Sequence, residues 1–148
     1  MSLKLSEEVK IVVADHDPNA TTSANVSSTT WVDMSEYHRC MVLLIKSVGS
    51  DNTQIFRIDG SAALAGTSAA TLKTRTGSTD PDATGDWAML EVTSDDLAGQ
   101  DSTTSGVRYI SAVVKTAAAT DEWQVVYILS SPRYGKTALT AGAGAAAT

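Results

Sequence analysis

A single cysteine, Cys40, stands among the 148 residues. The chain therefore has no internal disulfide and no multi-cysteine zinc site, and it must fold on its core in what is expected to be a reducing cytosol. Only two histidines are present, His16 and His38, too few for a histidine-based metal centre. Charged residues make up 19% of the chain, against about 25% in an average globular protein. The balance is acidic, with a net charge of −6. That argues against a nucleic-acid partner, whose phosphates call for clustered Lys and Arg. No apolar run approaches the roughly 18 residues that cross a bilayer. The opening Met1–Glu8 lacks the apolar stretch of a secretory leader. Neither a membrane nor a secretory role is expected.

What fills the chain instead is small. Ala, Thr and Ser account for 57 of the 148 residues, and the bulk comes from Val, Leu and Ile in short runs. A chain of this length buries roughly two-thirds of its unfolded surface, enough for one core. No long amphipathic helix can be drawn. Val9–Ala14 alternates Val9, Ile11 and Val13 on one face and ends in a turn cluster at Asp15–Asn19. Residues 19–30 read as a long loop or a frayed strand, and Trp31–Met34 as a short strand followed by one turn. Arg39–Val48 is the strongest strand. Its middle, Cys40–Ile45, is continuously apolar, the pattern of a strand covered on both faces. Gly49–Asn52 is a turn signal, so 39–48 and 53–59 are expected to form a hairpin. Short strands are expected at 70–74 and 87–92. One helical turn is expected at 94–98, with Ser94 as N-cap. Long strands at 107–116 and 122–131, joined through 117–121, form a second expected hairpin, ended by Pro132.

About eight short strands between polar turns describe an all-β fold, a β-sandwich or jelly roll. Residues 9–135 form the domain, residues 1–8 an N-terminal arm, and 136–148 an Ala/Gly/Thr-rich flexible tail.

Catalytic motifs do not accompany this fold. There is no nucleophile elbow, phosphate loop or paired-histidine zinc helix. His38 lies close to Cys40, but a cysteine opening an apolar strand behaves as a small buried hydrophobe. The Asp80–Asp86 loop is rich in carboxylates, yet it lacks the spacing and closing Glu of a calcium-binding loop. It reads as a solvated acidic turn. The chain is expected to be no enzyme and to hold no metal or cofactor.

The order of several short motifs resembles that of small head proteins of tailed bacteriophages, especially capsid decoration (cement) proteins. These motifs are Trp31–His38 leading into the apolar strand, Asp59-Gly60-Ser61, Arg108-Tyr109-Ile110 and the closing Pro132-Arg133-Tyr134-Gly135. The resemblance implies a β-sandwich on the outside of an icosahedral head, often a homotrimer. There it would bind the major capsid protein lattice and reinforce its contacts, after folding in the host cytoplasm. It implies no catalytic residue. Leu3 and Leu5 in the arm, with Trp31 and Trp87 at strand ends, are the candidate interface residues. Two other readings stand beside this one. One is a different β-rich virion part, such as a tail-tube or fibre-associated protein. The other is a carbohydrate-binding β-sandwich that stacks sugars on exposed aromatic rings.

Overall fold

The computed structural model describes residues 8–14, 26–27, 30–50, 53–75, 81–99, 106–116 and 120–133. The arm with Leu3 and Leu5, His16, Asp80 and the tail from 136 lie outside them. The strands are β1 (Val9–Val13), β2 (Val26–Ser27), β3 (Val32–Asp33), β4 (Tyr37–Val48) and β5 (Thr53–Ser61). They continue with β6 (Ala70–Thr74), β7 (Trp87–Thr93), β8 (Tyr109–Thr116) and β9 (Glu122–Pro132). A one-turn helix, α1 (Ser94–Ala98), follows β7.

The strands form two antiparallel sheets. One has the order β1-β9-β4-β7, and the other β2-β8-β5-β6 with β3 also on β8. Val26 lies opposite Val114 and Val32 opposite Ile110, so β2 and β3 follow one line of pairing along β8. Both pair antiparallel to β8 in chain order and occupy one position in the sheet. Counted as one, they leave eight strands in the orders 1-8-3-6 and 2-7-4-5, which is jelly-roll order.

Alternation puts the core between the sheets. Cys40, Val42 and Leu44 of β4 and Trp123, Val125, Tyr127 and Leu129 of β9 point inward from the first sheet. They meet Phe56 and Ile58 of β5 and Ile110, Ala112 and Val114 of β8. Leu97 of α1 and Met34 belong to the same core. One hydrogen bond ties the sheets across it. The Ala112 N–H, opposite the break between β2 and β3, donates to the Tyr127 hydroxyl at 2.7 Å. A buried amide of one sheet is thereby satisfied by a side chain of the other.

Three sequence expectations need correction. Strands 39–48 and 53–59 do not form a hairpin: β4 pairs with β7 and β9, whereas β5 pairs with β6 and β8. Strands 107–116 and 122–131 likewise lie in different sheets. The short turns are real, but they arch from one sheet to the other. The apolar faces of consecutive strands then oppose each other across the core instead of lying side by side. The helix N-cap is Thr93, not Ser94. Thr93 and Asp96 form a reciprocal capping box, in which the Thr93 N–H donates to Asp96 Oδ2 at 2.9 Å.

The first arch is locked by a buried ion pair. Lys46 continues the inward row of β4, and its Nζ lies 3.0 Å from Asp121 Oδ2, with both side chains 1% exposed. Nζ also donates to the Asp82 carbonyl at 3.3 Å. Asp121 Oδ1 has no hydrogen-bond partner among the described residues and sits over Gly49, where a Cβ would overlap it. Gly49 also has φ +114°, a conformation open to glycine. Removing one member of such a pair strands a charge in the core, at a cost of about 3–5 kcal/mol, while replacing both by apolar groups is often nearly neutral. Lys46→Met should therefore lower unfolding stability by that amount in a denaturant titration. Lys46→Met/Asp121→Leu should recover most of the loss, and an additive double variant would contradict this account.

Candidate interaction surface

The two central strands of the first sheet carry apolar side chains on both faces. The inner face is the core. On the outer face, the register places Ile11 beside Ile128, Ile128 beside Met41, and Met41 beside Glu91. The next row reads Val13, Val126, Leu43, Met89. The one after it reads Gln124, Ile45, Trp87. Nine apolar side chains thus form one continuous patch across all four strands. Ile11 is 63%, Val13 58%, Trp87 63% and Met89 44% exposed, and the central residues Met41, Leu43, Ile45, Val126 and Ile128 are partly exposed. Charge appears at the margins. Arg39 and Glu91 form an exposed ion pair at 3.5 Å at one end, and Glu122 lies at the other, opposite Val48.

The expectation that Cys40–Ile45 is covered on both faces is thus met on one face only among the described residues. Soluble monomers seldom expose contiguous apolar surface of this extent without a use for it.

The outer face of the second sheet is built differently. Arg57 Nη2 donates to Asp59 Oδ2 at 3.0 Å, and Thr71 Oγ1 donates to Asp59 Oδ1 at 2.9 Å. Ser111 lies opposite Asp59 on β8. This face satisfies its polar groups internally and offers no comparable patch.

Of the residues singled out from sequence, Trp87 sits at the corner of the apolar face. Trp31 lies elsewhere, half-buried against Gly66 in the turn between β5 and β6. Leu3 and Leu5 are outside the described residues. Eight further members of the patch were not singled out. Their signal was present in the odd-numbered residues of β4 and β1 and the even-numbered residues of β9, which are apolar opposite an equally apolar inner set.

The remaining polar features are structural. His38 is exposed, with Nδ1 3.3 Å from Ser94 Oγ, while Cys40 is buried. Burial pushes the Cys40 thiol up to about 12, and its Sγ lies 3.7 Å from the Met41 carbonyl. Asp86 closes the acidic turn on itself, accepting from the Ala83 N–H at 3.1 Å. Among the described residues, no group of three His, Cys, Asp or Glu is placed to hold a metal ion, and no helix is long and apolar enough to cross a membrane. An open cleft of about 320 Å³ lies between Leu97, Val107, Arg108 and Arg133. The Arg108 guanidinium there is engaged by Asp33, with Nε donating to Oδ1 at 2.9 Å. No protein-family model matches the chain, and no curated protein matches it either.

Two predictions follow from these side chains. A thiol held at about 12 is protonated at neutral pH, and the thiolate is the reactive form. Native Cys40 should therefore react with iodoacetamide far more slowly than the unfolded chain, and equal rates would mean that Cys40 is open to solvent. Hydrogen bonding from Arg108 holds the Asp33 carboxyl at about 2, below its ordinary 3.8. The pair therefore contributes fully above about pH 4, and its contribution is lost as pH falls through about 2. The thermal midpoint of Asp33→Asn should fall less steeply than that of the wild type between pH 4 and pH 2.

Proposed function

We propose that this chain is a structural virion protein that binds the outside of an icosahedral phage head as a homo-oligomer and reinforces contacts between major capsid proteins. The observation that carries the reading is the four-strand apolar face, a surface suited to being covered by protein. Jelly-roll sandwiches serve widely as capsid modules, but they also serve as lectins, so the fold alone does not assign a function. The motif order that resembles decoration proteins favours the capsid. Repetition over a lattice makes weak individual contacts sufficient, since multivalency raises avidity by about 10²–10⁴. Leu3 and Leu5, ahead of β1, supply the arm contact in this reading. Each side chain contributes about 1.5–3 kcal/mol if fully buried, against about 1–2 kcal/mol per ordered backbone residue. The arm therefore acts through repeated copies, not through any single one.

The test mixes the purified chain with undecorated phage heads and measures occupancy by sedimentation and electron microscopy. Saturable binding at regular lattice positions is expected. Deleting residues 2–8 should lower occupancy at a fixed concentration and leave the thermal midpoint of the free protein nearly unchanged, whereas deleting 137–148 should change little. Absence of binding to heads would remove the proposal. The exposed indole of Trp87 favours a sugar-binding module as the second reading. Glycan-array binding abolished by Trp87→Ala would establish that reading in place of the first.

A further inference from the structure

We infer that the apolar outer face of the β1-β9-β4-β7 sheet is the contact between two copies of this chain, packed sheet face against sheet face about a two-fold axis. The inference rests on the reading of this face as an assembly surface and names its occupant.

Area supports a second copy. At a strand spacing of about 4.8 Å and a rise of about 3.4 Å per residue, the lengths of β1 and β7, with the eight steps from residue 39 to residue 47 of β4 and the matching stretch of β9, give a face on the order of 420 Å² in projection. Two faces together remove roughly 850 Å² before marginal side chains are counted, and those bring it to about the 1,000 Å² of a specific interface. The layout is also that of an interface. An uncharged apolar centre is bounded by Arg39 and Glu91 at one end and Glu122 at the other, matching the apolar core and polar rim of protein contacts.

The choice of a like partner, and of two-fold symmetry, comes from what the rest of the surface offers. A head-to-tail ring needs two different complementary patches on each chain. Among the described residues, the other exposed large apolar side chains are Val48, opposite Glu122 at the margin of this same face, and Leu64, a single residue between β5 and β6. The outer face of the second sheet is a polar network around Asp59. The one described surface that complements the apolar face is therefore the same face on another copy. Sheet-on-sheet packing at about 10 Å is also the arrangement this chain already uses internally. The pairing predicts an even-numbered assembly, in contrast to the trimer implied by the resemblance to decoration proteins.

The test is analytical ultracentrifugation of the purified full chain from about 1 to 100 µM, in low and in 1 M salt. A species of twice the 15.4 kDa chain mass is expected, persisting in high salt because its centre is uncharged. Val13→Lys/Met89→Lys changes two exposed positions of the same row and should shift the dimer midpoint at least 100-fold towards monomer, with an unchanged far-ultraviolet circular dichroism spectrum. Hydroxyl-radical footprinting of the wild type provides a readout independent of any variant. Met41, Met89 and Trp87 should be protected at high concentration relative to low, and Leu64 should not. A monomer at 100 µM, a trimer, or a dimer indifferent to the double substitution and unprotected at Met89 would overturn the inference. A monomer that still occupies heads would overturn this pairing and leave the proposed function standing. A face-to-face dimer that does not bind heads would do the reverse.

Discussion

The strands β4 and β9 are apolar on both faces, and a sheet built on them has two surfaces to remove from water. A single β-sandwich covers only one. The inner rows are covered by β5 and β8 across the core, with side chains such as Val42, Tyr127, Phe56 and Ile58 fully buried. The outer rows, from Ile11 across to Met89, have no layer above them among the described residues. In α/β folds the same problem is met by crossover helices, but the one described helix here is a single turn at the end of β7. In the proposed self-association a second molecule covers this face. The functional reading and the proposed self-association both grow from this constraint.

Connectivity and polar chemistry hold the sandwich in the form that leaves this face open. Consecutive strands mostly alternate between the sheets, so short loops must arch over the core. The arch after β4 passes the Lys46–Asp121 pair, whose two side chains are as buried as the hydrophobic core. Such a pair adds little net stability compared with apolar residues of similar volume, but a mispaired arrangement would leave a bare charge inside. Its effect is to penalise alternatives, among them the side-by-side hairpin that the turn at Gly49 would otherwise allow. The Tyr127 hydroxyl acts similarly on the far side, tying β9 to β8 between the stretches that pair with β2 and β3.

The proposed function and the self-association both draw on the apolar face, but the head contact adds the arm, so the arm and the pairing can be tested separately. The face supplies a centre without charge, suited to a permanent contact. The arm before β1 carries few apolar side chains, Leu3 and Leu5 among them, suited to a weak contact repeated over a lattice. Burial of Cys40 and the engagement of Arg108 by Asp33 leave the two most reactive-looking groups in structural roles.

Much of the fold was legible in the residues alone. Short apolar runs between turn signals located β1, β4, β5, β7, β8 and β9, and alternation assigned the faces of β1, because a side chain's side of a strand follows from its parity. By the same parity Phe56 and Ile58 share one face of β5, and Trp123, Val125, Tyr127 and Leu129 share one face of β9, and all six are buried. The double-sided apolar run at Cys40–Ile45 even announced that both faces needed covering. What the residues could not decide was which strands pair. A turn of four residues fits a hairpin and an arch equally, since turn chemistry is local and the choice is made by contacts tens of residues apart. The same holds for the interface. Trp87 stood out by type, but Ile11, Leu43, Met89 and Val126 become neighbours only when β1, β9, β4 and β7 are laid side by side. Parity determined that each of them shares a face with others of its own strand. The tertiary structure alone decided that those faces join into one surface, and that this surface is the uncovered one.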